Sequence, residues 1–207
     1  MGSPQMLKLG PELFELLNAN QRVGNMTPVI YGVQGLSSAE IVSIEAQLRF
    51  RLPADFAYLF QRLRDPGRVF FPWSNFKKQE YDDRIRRILQ GIEFDIDHNK
   101  FWMDRWGKRP PTLSAALDIA RKDFETWPKL LPIHSHRFLA AEPCRPGNPV
   151  FSIVQTDIIY YGADLAHYLL NEFVDHDYVL HTHAQEIPKI RIWSYLAEDG
   201  NWQLHDR

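Results

Sequence analysis

The chain has 207 residues, of which 44% are apolar and 13% aromatic, enough for a sizeable core and too many for a disordered chain. Its 24 basic and 26 acidic residues nearly cancel, for a formal net charge of -2. That balance excludes the generally basic surface of most nucleic-acid binders and the strongly acidic surface of a DNA mimic. One cysteine, Cys144, can form neither an internal disulfide nor a cysteine-based zinc site, which favours a reducing cytoplasm. No apolar run approaches the roughly 20 residues that span a bilayer.

Residues 1–35 read as an N-terminal arm, with a short helix around Leu13, Phe14, Leu16 and Leu17. Residues 36–207 read as a single domain. Ser37 and Glu40 have capping-box spacing, and Ile41, Ile44 and Leu48 then fall on one helical face. Leu52-Pro53 ends that helix, because the residue before proline is pushed out of helical space. Phe56, Leu59, Phe60 and Leu63 make a second stripe, stopped by Pro66-Gly67. Both stripes should be buried against one sheet.

Arg68 to Phe71 is expected as a strand, and residues 76–92 as a third helix. Its outer face carries Asp82, Asp83, Arg84, Arg86 and Arg87, the pattern of a solvated face with near-neighbour ion pairs. The alternation from Phe94 to Asn99 predicts a short strand with Asp95 and Asp97 on one side. Thr112 caps a fourth helix that reaches Trp127. Short strands follow at 131–133, 138–140, 150–154 and 158–161, then a fifth helix over 163–174. Tyr178 to Leu180 and Ile190 to Tyr195 are expected to close the chain as strands. Helices and strands mix without regular alternation, so the expected class is α+β with a largely antiparallel sheet.

Candidate chemistry is sparse. His134-Ser135-His136 and His181-Thr182-His183 would each put two imidazoles on one side of a strand. Four histidines from neighbouring strands, with Asp175 and Asp177 nearby, would suit a divalent metal and a metal-dependent hydrolase. Nothing in the sequence makes the pairs converge, so hydrogen-bonded strand-end histidines are the simpler account and no cofactor is expected. No nucleophile elbow, phosphate-binding glycine loop or His-Glu-x-x-His helix occurs, and Cys144 sits in a turn. Trp73, Trp102, Arg105 and Trp106 lie in irregular segments, and Tyr160 and Tyr161 end a strand on which only one can face a core. These six are the candidate partner-binding residues, since aromatics beside arginine dominate interface hot spots. The competing account buries the tryptophans.

The segment from Leu36 to Leu63 resembles the opening of the SUKH superfamily, which includes the yeast cell-wall assembly regulator family. Ile41-Val42-Ser43-Ile44-Glu45 matches its first-helix pattern, and Leu52-Pro53-Ala54-Asp55-Phe56 its Leu-Pro-x-Asp-aromatic corner. Gly147 to Ile153, Asp157 to Gly162 and the helix after them resemble its C-terminal part, so the likeness covers residues 36 to about 174. Asp65-Pro66-Gly67 stands where many members carry an Asn-Gly turn. The resemblance implies an α+β domain with a mixed, mainly antiparallel sheet and no catalytic machinery. It implies a protein-binding module. Many bacterial members are similar to immunity proteins that neutralise toxins by direct contact, and the yeast relatives are signalling scaffolds. The expectation is therefore a non-enzymatic cytoplasmic binder of a protein, such as a cognate toxin, with neither nucleic acid nor membrane as partner. A regulatory adaptor on the same fold is the alternative.

Overall fold

The computed structural model describes residues 8–20, 29–174 and 187–198. These form an α+β fold of seven α-helices and two antiparallel sheets, of two and four strands. The helices are α1 (Pro11–Asn20), α2 (Ser38–Leu48), α3 (Ala54–Phe60), α4 (Lys78–His98), α5 (Leu113–Phe124), α6 (Leu165–Phe173) and α7 (Arg191–Glu198). Strands β1 (Ile30–Tyr31) and β2 (Leu63–Arg64) form the small sheet. Strands β3 (Leu130–His134), β4 (Arg137–Ala140), β5 (Val150–Val154) and β6 (Asp157–Gly162) form the large one, in sequence order. No helix among the described residues is long and apolar enough to cross a membrane.

The large sheet is covered on both sides, and alternation along its strands assigns each residue to one of two cores. Leu131, Leu139 and Val150 point into a core shared with α1, α2, α3 and α6. Leu130, Phe138, Ala140, Phe151 and Ile158 point into a second core shared with α5, α7 and most of α4. Both expected stripes lie in the first core, with Leu59 fully buried. Segment 1–35 supplies that core too, since Leu13, Phe14 and Leu17 of α1 are buried in it.

Capping sets the α2–α3 corner. The Ser37 hydroxyl accepts the Glu40 amide while the Glu40 carboxylate accepts the Ser37 amide. Glu45 then accepts the Leu52 amide at 2.9 Å, which holds the turn into Pro53. Asp55 accepts the Gly147 amide at 2.8 Å, tying the corner to the loop before β5. Burial raises the Asp55 carboxyl above the ordinary range against the pull of those amides. Gly35 crosses the end of α3 so closely that a Cβ there would lie 2.3 Å from the Phe60 carbonyl oxygen.

Three expected strands are not strands. Phe94 to Asn99 continues α4, because Ile88, Ile92 and Ile96 form an i, i+4, i+8 row buried in the second core. The apparent alternation came from Asp95, which is itself buried. Ile190 to Tyr195 enters α7, where Ile192, Trp193 and Leu196 are buried on one side and the Ser194 hydroxyl accepts the Ile190 amide. Arg68 to Phe71 is a loop, since the Asp65 carboxylate takes the Val69 and Phe70 amides that a ladder would need. The expected strand at Tyr178 to Leu180 lies outside the described residues.

Candidate functional site

A cleft of about 1050 Å³ lies between the loop after β2, the start of α4 and the outer edge of β3. Its inner wall is fixed by three main-chain acceptors on β3. The Phe71 amide donates to the Ile133 carbonyl at 2.6 Å, and the Trp73 indole to the Pro132 carbonyl at 3.0 Å. Deeper in, the Tyr81 hydroxyl donates to the Leu130 carbonyl at 3.0 Å. This edge strand is therefore closed to a further strand by donors from residues 71–81. Phe60, Phe70, Phe71 and Trp73 pack edge-on or tilted against one another along the cleft and are buried.

A bulge between Pro132 and His134 turns the end of β3. It brings His134 to the cleft and places its ring 6.1 Å from Phe173 of α6. His134 Nδ1 is buried and lies 3.8 Å from Glu172 Oε1, beyond hydrogen-bond reach. Glu172 is engaged by Arg137 Nε at 3.1 Å. Arg137 also donates to the Ser152 hydroxyl at 2.8 Å and lies over the Tyr161 ring at 3.5 Å. Burial lowers the His134 imidazole below the usual histidine range, with Arg137 adding to the effect and Glu172 opposing it.

The cleft rim carries four cations, Arg64, Arg68, Lys77 and Arg84, against two carboxylates, Asp65 and Glu80. Both carboxylates are engaged: Asp65 with the loop amides, Glu80 with Lys77 at 3.0 Å. The arginines are not ion-paired among the described residues. Arg64 Nε donates to the Gln34 carbonyl at 3.2 Å and Arg84 Nη1 to the Ser135 carbonyl at 2.7 Å. Burial, with Arg87 close by, pulls the Arg84 guanidinium below its ordinary value.

The six expected partner-binding residues do not form one patch. Trp73 is buried in the first core and forms part of the cleft wall. Tyr161 packs on that same side of the sheet, and Tyr160 on the other, its hydroxyl 2.7 Å from Glu198. Only one tyrosine was expected to meet a core; both do, because the sheet has a core on each side. Trp102, Arg105 and Trp106 gather against the second core around Asp123. Asp123 pairs with Arg105 at 2.8 Å and accepts the Trp106 and Trp127 indoles at 2.9 and 2.8 Å.

Of the two histidine pairs, only the first lies among the described residues. His134 and His136 straddle the β3–β4 turn, with Ser135 at φ 48°, so strand alternation does not align them. The His136 Nδ1 instead meets the Ser135 hydroxyl at 3.0 Å. His181 and His183, with Asp175 and Asp177, lie outside the described residues. No group of three metal-ligating side chains occurs among the described residues.

Sequence reasoning missed Arg64, Arg68 and the separate role of Arg84. Arg84 was read with Arg86 and Arg87 as one solvated face. Arg86 does pair with Asp83 at 2.7 Å, and Lys78 with Asp82, but Arg84 turns away to the β3–β4 turn. No family model, curated protein or solved structure matches the chain.

Proposed function

We propose that this chain is a non-enzymatic protein-binding module of the immunity type, which neutralises a toxin by direct contact, and that the cleft beside β3 is its binding surface. The observation that carries the reading is the cleft itself, a rigid aromatic wall beneath three arginines that no carboxylate pairs among the described residues. A wall held by main-chain hydrogen bonds loses little freedom when a partner docks. Arginine beside aromatic and apolar surface is the composition of binding hot spots. The likeness of residues 36–174 to SUKH domains supports the module and supplies the toxin as partner class. A cytoplasmic setting belongs to this reading, supported by a chain with one cysteine.

Co-expression with the product of each neighbouring gene tests it. The expected result is that one neighbour arrests bacterial growth, that this chain restores growth, and that the two purify as a stoichiometric complex. A neighbour that binds without being toxic would favour the regulatory adaptor. Failure to restore growth against any toxic neighbour would end the immunity reading.

A further inference from the structure

Three arginines of the cleft, Arg64, Arg68 and Arg84, have no carboxylate within ion-pair distance among the described residues, and they line one concavity. Lys77, Lys78, Arg86, Arg105 and Arg121 each have a carboxylate within ion-pair distance. Arg64 and Arg84 donate instead to neutral main-chain carbonyls. Arg68 is exposed at φ 56° on the loop between them, on a turn tightened by its own amide donating to the Asp65 carbonyl at 3.3 Å. Three arginines without an ion pair among the described residues thus line one concavity, where cations outnumber carboxylates four to two, on a chain whose net charge is -2. Fixed forks of this kind match carboxylates in a bidentate manner. Between them the cleft offers apolar surface at Ile30, which is 43% exposed, and at the half-buried Val69.

We propose that the cleft takes an acidic segment of a protein partner, an apolar side chain flanked by carboxylates, with Arg64, Arg68 and Arg84 receiving the carboxylates and Ile30 and Val69 the apolar side chain. This deepens the protein-binding reading and rests on it. Nucleic acid fits the same surface poorly. Single strands bind by stacking bases on free aromatic faces, and here Phe70, Phe71 and Trp73 are 3%, 7% and 1% exposed and packed on one another.

The test is an NMR titration of the ¹⁵N-labelled full chain with four probes. They are the pentapeptide Asp-Glu-Ile-Glu-Asp, its Asp-Glu-Gly-Glu-Asp and Lys-Lys-Ile-Lys-Lys counterparts, and an oligothymidylate. The isoleucine-containing acidic peptide should shift the Val69 amide and the Trp73 indole signals. It should bind about fivefold or more tightly than the glycine version, and weaken as salt rises. The doubly reversed variant Arg64→Glu/Arg68→Glu should lose about tenfold in affinity, and both side chains are exposed, so folding is preserved. Arg84→Gln is a second variant that removes charge without reversing it. Equal binding of the lysine peptide, tighter binding of the oligothymidylate, unchanged affinity of the variants, or no cleft shifts at millimolar peptide would overturn the inference. Growth restored by the chain despite any of these would leave the binding-module reading standing and move its surface elsewhere.

Discussion

Asp95 Oδ2 receives both the backbone amide of Thr156 at 2.8 Å and its hydroxyl at 2.7 Å, joining the last turns of α4 to the β5–β6 turn. Its other oxygen accepts the Asn99 side-chain amide at 2.6 Å, which closes the end of the helix. Four residues earlier in α4, Gly91 sits so close to the same turn that a Cβ would lie 2.8 Å from the Gln155 Cα. Asp95 is 2% exposed and Thr156 1%, so no water replaces a lost partner. Asp95→Ala should therefore cost about 2–4 kcal/mol, because two buried donors lose their acceptor. Asp95→Asn, which keeps one acceptor oxygen, should cost less. Urea unfolding of the three proteins checks the order; an Asp95→Ala protein as stable as the parent would contradict it.

Asp123 makes the corresponding prediction for the aromatic cluster. It holds Trp106, Trp127 and Arg105 together, and its side chain is largely covered. Asp123→Ala should lower stability by about 2–3 kcal/mol, since two indole N–H groups lose their acceptor. Arg105→Ala should change stability by less than about 1 kcal/mol, because that pair is partly exposed and screened. Thermal melts of both variants decide the matter. A large loss on Arg105→Ala with none on Asp123→Ala would mean the carboxylate is not the organising group.

His134 makes stability depend on pH. Its folded-state pKa lies below the unfolded value of about 6.5, so below that pH the unfolded chain binds the proton first. Stability is complete above the unfolded pKa and falls as pH drops through that window toward the folded pKa. His136, lowered mainly by burial and by Arg137, adds in the same direction. Glu172 and Asp65 oppose the shift at His134, and Arg137 and Arg84 reinforce it. His134→Gln should flatten the decline in melting temperature between about pH 6.5 and pH 5. An unchanged slope in the variant would show that His134 does not carry it.

Much of the fold was legible because its signals are local. The Ser37–Glu40 box, the stripes of α2 and α3 and the four strands of the large sheet rest on spacing within a few residues, and all are present. The misread segments have long-range causes. Phe94 to Asn99 looks like a half-buried strand until Asp95 is seen to face Thr156, 61 residues away. Ile190 to Tyr195 is rich in β-formers, yet Trp193 reaches the Pro128 carbonyl at 2.8 Å from a helix. At Arg68 to Phe71, the aspartate three residues upstream competes successfully for the strand's amides.

The cleft was less legible than the fold. Trp73 was singled out as a partner-binding candidate with burial as the competing account, which holds for it, but its clamp to the Pro132 carbonyl was not legible. Arg64 and Arg68 belong to different local elements from Arg84, and only the packing of residues 64–73 against β3 brings them to one rim. The β3 bulge that carries His134 there leaves no trace in hydrophobic periodicity.

The central claim is that a protein partner docks in this cleft and not on the tryptophan cluster. Its most direct measurement is the Kd of the co-purified partner for the parent chain, Arg84→Glu and Arg105→Glu, each confirmed as folded by its melting temperature. The account predicts that Arg84→Glu weakens binding about tenfold or more while Arg105→Glu stays within about twofold of the parent. An unchanged Kd for Arg84→Glu, with the loss falling on Arg105→Glu, would contradict it.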